Sequence, residues 1–468
     1  MSLWLAWFRN VQELRGACSR ASTFRWMTLV LVGFTVRRDI LGVTSFVRGL
    51  GLGAKAYPRL LHFFHSSGVC LQRLTSLWIA LALKIFRPVT FGGYAVCVAD
   101  GIKVPKDGRR MPGVKRLHQE SSNNSKSPFI MGHSFQAISM LVSGARDAVF
   151  SVPLVSRIHE GLVFSNRDQR SLLDKLATLF LSIAPQFDRP LILVADAFYA
   201  SRKIVVPLLD SGHHLVTRVR SNAVAYEPAA APNKPRRGRR RIYGNKVSLR
   251  KAAQKTDKFQ SAPSPLAGEA GVRVRYRCLD LLWRPVGHIV RFVIVDHPTR
   301  GVIFLMSTHV DLDPMDILRI YGYRFKIEVG FRQAIHVLAV YGYHFWMQTM
   351  DRLPRWSGNQ HLHQKSQEYR DQVRKKLNAY HLYVQLGCIA QGLMTHIAVT
   401  RPRMVWNNFT SWFRTMNKEE APSERVVANA LGGWLHEFLE DSCPDSKLRK
   451  MFKRYRDRRR SRKRRLSA

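Results

Sequence analysis

Acidic side chains are in short supply in this sequence of 468 residues. Asp and Glu number 32 against 75 Lys and Arg, a formal net charge of +43 with a pI near 10.9. A chain so charged repels itself unless a polyanion neutralises it. Nucleic acid is therefore the first partner implied, and an anionic membrane surface the second. Cysteine is sparse as well: Cys18, Cys70, Cys97, Cys278, Cys388 and Cys443 are scattered without a CxxC pair. That argues against a structural zinc site and for reduced, buried thiols in a cytoplasmic protein. No unbroken apolar run reaches the roughly 18–20 residues of a membrane span, so no membrane is expected as a partner. The N-terminus has neither a charged leader nor a small-residue cleavage site, and no signal peptide is expected. A GxxxxGK[ST] loop is missing too, so nothing indicates ATP-driven chemistry.

What the chain does contain is enough apolar residue, 46%, for a large core and two or three domains. Residues 1–90 read as a helical, basic, aromatic region that either contacts DNA or merely carries a basic surface. From Tyr94 the run YAVCVADG reads as a strand ending at Asp100. The runs FIMGHSFQAISMLV and AVFSVPLVSRI follow as strands, and Gln169–Ala184 as an amphipathic helix. PLILVADAFYASRK then supplies an apolar strand, Leu191 to Ala195, that ends at Asp196, before a helix at Arg202–Leu209 and the strand HHLVTRVR. This order is α/β, and residues 91–220 form its first part. Residues 221–309 interrupt it with a Pro/Arg-rich basic segment and three strand-like runs, a β-rich insertion. Residues 310–346 return to helix, and 347–468 form a helical C-terminal region ending in a basic tail.

The helix expected after Asp313 and Pro314, an N-cap followed by proline at the first helical position, runs on as one rod. Tyr321, Arg324, Glu328, Arg332 and Ile335 then fall three, four, four and three apart along one face. The same residue types also make a solvated Arg–Glu pair. Two further carboxylates at the ends of apolar strands, Asp100 and Asp196, give that face chemical interest. Three hard oxygen ligands suit magnesium or manganese, and two such ions serve in-line displacement at phosphorus. An aspartate before glycine is otherwise an ordinary turn residue. The basic loop from Lys103, with Lys106, Arg109, Arg110, Lys115 and Arg116, is expected to touch phosphate. Trp283 is expected in the core, with base stacking as the alternative.

Three stretches carry a resemblance: VADGIKVPKDGRRMPGVKRLHQ around Asp100, LILVADAFYASRK around Asp196 and YGYRFKIEVGFRQA around Glu328. Over residues 90 to 345 the sequence resembles a DDE transposase of bacterial insertion sequences. It is similar to the group with a Tyr–Arg–Glu signature around the third acid and a β-rich insertion before it. The resemblance implies a ribonuclease H-like mixed sheet flanked by helices, with helical basic N- and C-terminal regions. It implies that Asp100, Asp196 and Glu328 are the catalytic, metal-holding acids, with two Mg2+ or Mn2+ ions as cofactors. Tyr321 and Arg324 would contact phosphates of the transposon end; apart from the resemblance, Arg332, Lys103 and Lys326 are expected as further DNA contacts. The partners implied are double-stranded DNA, as transposon ends and target, and a second copy in a homodimeric synaptic complex. The setting implied is the bacterial cytoplasm, at the nucleoid. The group's signature continues with lysine seven residues after the glutamate, where this chain has Ile335. Two other readings stay open: a catalytically inactive DNA-binding descendant, and a metal-dependent nuclease without strand transfer.

Overall fold

In a computed structural model of the chain, residues 2–119, 127–230, 240–414 and 416–457 are described. The basic stretch 231–239 of the insertion and the tail from 458 lie outside them. The chain divides into two compact units. One comprises Met1–Arg87, Gly101–Gln169 and Glu328–Ala468; the other comprises Pro88–Asp100 and Arg170–Ile327.

Apolar spacing over the first segment yields α1 (Leu3–Gln12), α2 (Ala21–Val36), α3 (Thr44–Gly49), α4 (Ala56–His65) and α5 (Leu71–Ile85). Ser2 caps α1 by accepting the Leu5 N–H. In α2 every residue from Met27 to Val36 is buried, as an all-round apolar helix requires. The next strands are β1 (Thr90–Phe91), β2 (Tyr94–Pro105), β3 (Lys115–His118), β4 (Phe129–Ser143), β5 (Val149–Ile158) and β6 (Leu162–Val163). Antiparallel β4 and β5 run in register from Phe135↔Ile158 to Ser143↔Val149. An irregularity between Ile138 and Ser139 leaves Leu154 without an opposite number and admits Pro153 into the strand.

The other unit is built on α6 (Leu172–Ile183), β7 (Leu191–Ala195), α7 (Arg202–Asp210) and β8 (His214–Arg218). Ser171 and Asp174 form a capping box at the start of α6. The insertion holds β9 (Val224–Pro228), β10 (Tyr243–Ser248), α8 (Leu249–Ala253), β11 (Gln260–Pro263), β12 (Arg273–Trp283), β13 (His288–His297) and β14 (Gly301–Ser307). Its strands extend the sheet, so that within this unit the order is β10-β9-β12-β13-β14-β8-β7-β2. Trp283, at the end of β12, is buried, as expected of a core residue.

Then come α9 (Pro314–Gly322) and α10 (Phe325–His336). They are followed by β15 (Gln360–His361), α11 (Gln367–Thr400), α12 (Pro402–Asn408), α13 (Glu424–Gly433), α14 (Leu435–Glu437) and α15 (Ser446–Tyr455). The architecture is mixed α/β, a large mixed sheet flanked by helices, as a ribonuclease H-like fold requires. The six cysteines are free thiols, four of them buried.

Three expectations need correction. The strand through Asp100 does not stop there. It continues to Pro105 because Ile102 and Val104 alternate inward against exposed Lys103 and Pro105, a half-buried strand pattern masked by the Asp–Gly pair. The helix after Asp313 is two helices, not one. At the junction Arg324, Lys326 and Ile327 donate to the carbonyls of Tyr321, Tyr323 and Arg324, a tightened i to i+3 pattern. Gly322, the last residue of α9, leaves room for Leu266; a Cβ there would stand 2.5 Å from Leu266 Cδ2. Finally, α11 contains a stretch apolar enough by length and composition to cross a membrane, with mean hydropathy 1.3, yet 89% of it is buried inside the protein. No unbroken run marks it because polar residues interrupt it, and protein partners satisfy them. Gln385 donates to the Leu154 carbonyl at 2.9 Å and Gln391 to that of Gly330 at 3.0 Å.

Close packing around α11 makes a prediction. A Cβ on Gly392 would lie 2.3 Å from the Trp78 ring, which is pinned by its Nε1–H donating to the Pro153 carbonyl at 2.8 Å. The clash should outweigh the gain of about 1 kcal/mol in helix propensity. Gly392→Ala is expected to cost about 1–3 kcal/mol of stability, read as a lowered urea midpoint. Gly432→Ala in α13, with nothing within 4 Å, should leave it unchanged or raise it.

Candidate active site

β7 is buried at all five positions, the pattern of a strand covered on both faces. It runs parallel to β2 in the register Ala95↔Leu191, Val96↔Ile192, Cys97↔Leu193, Val98↔Val194. Two more residues of the same register set Asp100 level with Asp196, on strands about 4.8 Å apart. Both aspartates are half-buried.

Each carboxylate is held in place. Asp196 caps the turn Ala197–Tyr199, its Oδ1 accepting from the Phe198 N–H at 3.0 Å. Thr217 on β8 donates its hydroxyl to the Asp196 carbonyl at 2.7 Å, which ties the end of β7 to its neighbour. Asp100 Oδ2 accepts from Arg324 Nη1 at 3.3 Å. Tyr199 is buried within reach of both charges: burial, then Asp100 and Asp196, push its phenol far above the ordinary value. Tyr321 is likewise raised, chiefly by burial. Arg324 and Arg218 pull it down and Asp196 pushes it up. One unit thus gathers two carboxylates, two phenols and two guanidinium groups. Tyr199 lies within the LILVADAFYASRK stretch around Asp196, whereas no motif marks Arg218 or Thr217. The signal for those two was position, the end of the strand beside β7.

The remaining predicted residues are placed as follows. Glu328 is half-buried in α10 and opens the last segment of the other unit. Arg332 is exposed on the same helix, Ile335 half-buried, and Lys326 half-buried just before Ile327. Among the described residues, no group of three or more His, Cys, Asp or Glu side chains is gathered so as to hold a metal ion. The pair Asp100–Asp196 is nevertheless a donor set of the right kind: hard oxygens, side by side, which suit a hard divalent cation.

The basic loop after Asp100 differs from expectation. Lys103 lies in β2, and its Nζ donates to the His118 carbonyl at 2.7 Å. Lys115 pairs with Glu160 at 3.0 Å. Lys106 is only 4% exposed. It donates to the Tyr341 and Tyr343 carbonyls at 2.5 and 2.9 Å and lies 4.0 Å over the Tyr343 ring. It ties two chain segments together and does not face solvent.

With this geometry established, the sequence model of the DDE superfamily endonucleases is found to match residues 13–277. The chain belongs to this family. The match contains both aspartates and the strands that carry them, and ends before α9 and α10. It also reaches back through the N-terminal helices, beyond the stretch over which the motifs resemble a transposase. No curated protein matches the chain. Membership makes this DDE endonuclease a nuclease-type enzyme, with DNA as its substrate, of a family that generally uses divalent metal ions.

Lys106 gives a pH prediction. Burial lowers its ammonium from 10.5 to about 7, with Asp107 opposing. Between those values the unfolded chain holds the proton and the folded one does not. Stability from this group is therefore lowest below pH 7 and rises toward pH 10.5. Wild type compared with Lys106→Met in urea from pH 6 to 10 should show that rise. Curves that stay parallel over the range would exclude it.

Proposed function

We propose that this endonuclease is a transposase of the bacterial insertion-sequence type, with Tyr321, Arg324 and Glu328 as its Tyr–Arg–Glu signature. The observation that supports it most is the parallel register that sets Asp100 level with Asp196, with Arg324 bonded to Asp100. Asp100 and Asp196, with Glu328 by resemblance, would hold two Mg2+ or Mn2+ ions. Such ions supply Lewis acidity for an in-line displacement at phosphorus. Arg324 exchanges its bond to Asp100 for a phosphate oxygen as DNA arrives, and its charge stabilises the five-coordinate phosphorus. Tyr321 donates its phenolic hydrogen to a neighbouring phosphate. Its raised pKa keeps it a donor across the working range. Arg332, Lys326 and Lys103 contact the flanking backbone.

In this reading, water attacks first at the end of the element and frees a 3′-hydroxyl. That hydroxyl then attacks a target phosphodiester and joins the strands, the cut-and-paste route. Two ends must be processed together, so the active species is a homodimer on double-stranded DNA, at the nucleoid. Residues 1–90 and 347–468 supply the basic helical flanks, 91–220 and 310–346 the catalytic core, and 221–309 the β-rich insertion. Ile335, in place of the signature lysine, favours one competing reading: a descendant that binds DNA without cutting it.

Cleavage and strand transfer on a labelled duplex with the element's terminal repeat and magnesium test the proposal. Asp100→Asn, Asp196→Asn and Glu328→Gln should each reduce cleavage to background while DNA affinity stays nearly unchanged. Normal cutting by any one of them removes that residue from the metal set. Binding without cleavage by wild type favours the inactive descendant, and cleavage without joined product a simple nuclease. Affinity should also fall steeply with salt, by about 0.9 in log K per decade for each neutralised phosphate. A flat dependence would contradict the charge argument.

A further inference from the structure

Two tryptophans stand out into solvent beside the basic loop, Trp346 at 66% and Trp356 at 52% exposure. A ring of that size is costly to leave wet, and both stand on a firmly built base. The segment from Tyr341 to Met347 alternates, with Tyr343, Phe345 and Met347 buried and His344 and Trp346 outward. It is stitched to the loop after β2 within one unit. The Met347 N–H donates to the Arg110 carbonyl at 2.9 Å, Leu353 N–H to that of Arg109 at 2.8 Å, and Arg116 N–H to that of Ser357 at 2.7 Å. Lys106 clamps the start of the segment from below.

Four arginines share this surface. Arg109 and Arg110 each spend part of a guanidinium on backbone, at the Leu353 and Gln348 carbonyls, and remain exposed. Arg352 and Arg355 are exposed between the two tryptophans in sequence. A Cβ on Gly108 would meet Trp346 Nε1 at 3.0 Å, so the indole lies directly against the arginine loop. Trp356 has φ +64°, a left-handed conformation that costs a bulky residue free energy.

We infer that Trp346 and Trp356, with Arg109, Arg110, Arg352 and Arg355, form a docking surface for unpaired DNA. Flat rings take base faces, and the guanidinium groups of the same segments take the phosphates. Duplex DNA hides its base faces in the stack, so projecting indoles select a single strand or the frayed end that strand cleavage leaves. The inference rests on DNA being the substrate, and it deepens the proposed reaction by giving the freed strand a place to lie.

Binding of a fluorescein-labelled single-stranded oligonucleotide, read by anisotropy beside a blunt duplex, tests it. Trp346→Ala and Trp356→Ala should each weaken single-strand binding about tenfold. Trp346→Phe should restore most of it, because the stacking face returns. Arg352→Ala with Arg355→Ala should reduce the salt slope by about 0.7 for each phosphate no longer neutralised. Trp346 is exposed, so its variants keep the fold; a thermal melt confirms this and guards the Trp356 result. Unchanged single-strand affinity in folded Trp346→Ala overturns the inference, as does a loss confined to the duplex. Magnesium-dependent cleavage by these variants is read separately. Normal cleavage of the blunt duplex with weakened single-strand binding supports the surface, whereas failure of wild type to cut bears on the proposed function alone.

Discussion

The parallel pairing of β2 with β7 is the constraint on which the candidate chemistry depends. Both strands are apolar along the paired stretch and buried on both faces, and the parallel hydrogen-bond ladder from Ala95↔Leu191 to Val98↔Val194 holds their alignment. That fixed alignment carries past the last paired residues, and Asp100 and Asp196 emerge level with each other. Thr217 and the Ala197–Tyr199 turn then hold the end of β7 still. Two carboxylates side by side repel. Opposing charge in the same unit comes from Arg324, bonded directly to Asp100, and from Arg218 near Tyr321. The cluster is thus a balanced set whose cationic members can be drawn toward an incoming phosphate.

Little of the basic excess in the stretch from Lys103 to Lys115 is loosely held. Lys103, Lys106, Lys115, Arg109 and Arg110 all have protein partners, and most of those are backbone carbonyls. Such bonds fix where a charged head group sits without neutralising it. An arginine bonded to a carbonyl keeps its full charge and several donors. The loop after β2 is therefore a rigid scaffold for positive charge, with Lys106 sacrificed to its interior.

Much of the fold was legible because its strands are unusually pure. The run Leu191–Ala195 and the insertion strands β12, β13 and β14 show apolar runs or alternation with turn residues at their ends. The strand beyond Asp100 was hidden by Asp–Gly, a pair that serves a turn or a strand equally well. The break between α9 and α10 was hidden by good helical spacing on both sides, since periodicity cannot see a local tightening of hydrogen bonds. β9, β10 and β11 are short and partly exposed, and their polar residues carry no periodic signal. Of the candidate site, the acids and Arg324 were readable as motif residues. Arg218 and Thr217 were not, because they are ordinary residues made relevant by a neighbouring strand.

The charge, the class of fold, the family resemblance and the candidate acids could all be read from residue type and local order. The folded chain alone shows which acids stand together, that Arg324 bonds Asp100, and that Lys106 is interior while Trp346 and Trp356 are not. It also shows that α11, apolar enough for a membrane, is instead sheathed by protein. The physical reason is the same in each case. Burial and pairing depend on interactions between residues far apart in the chain, and no local pattern records which distant partner a side chain will meet.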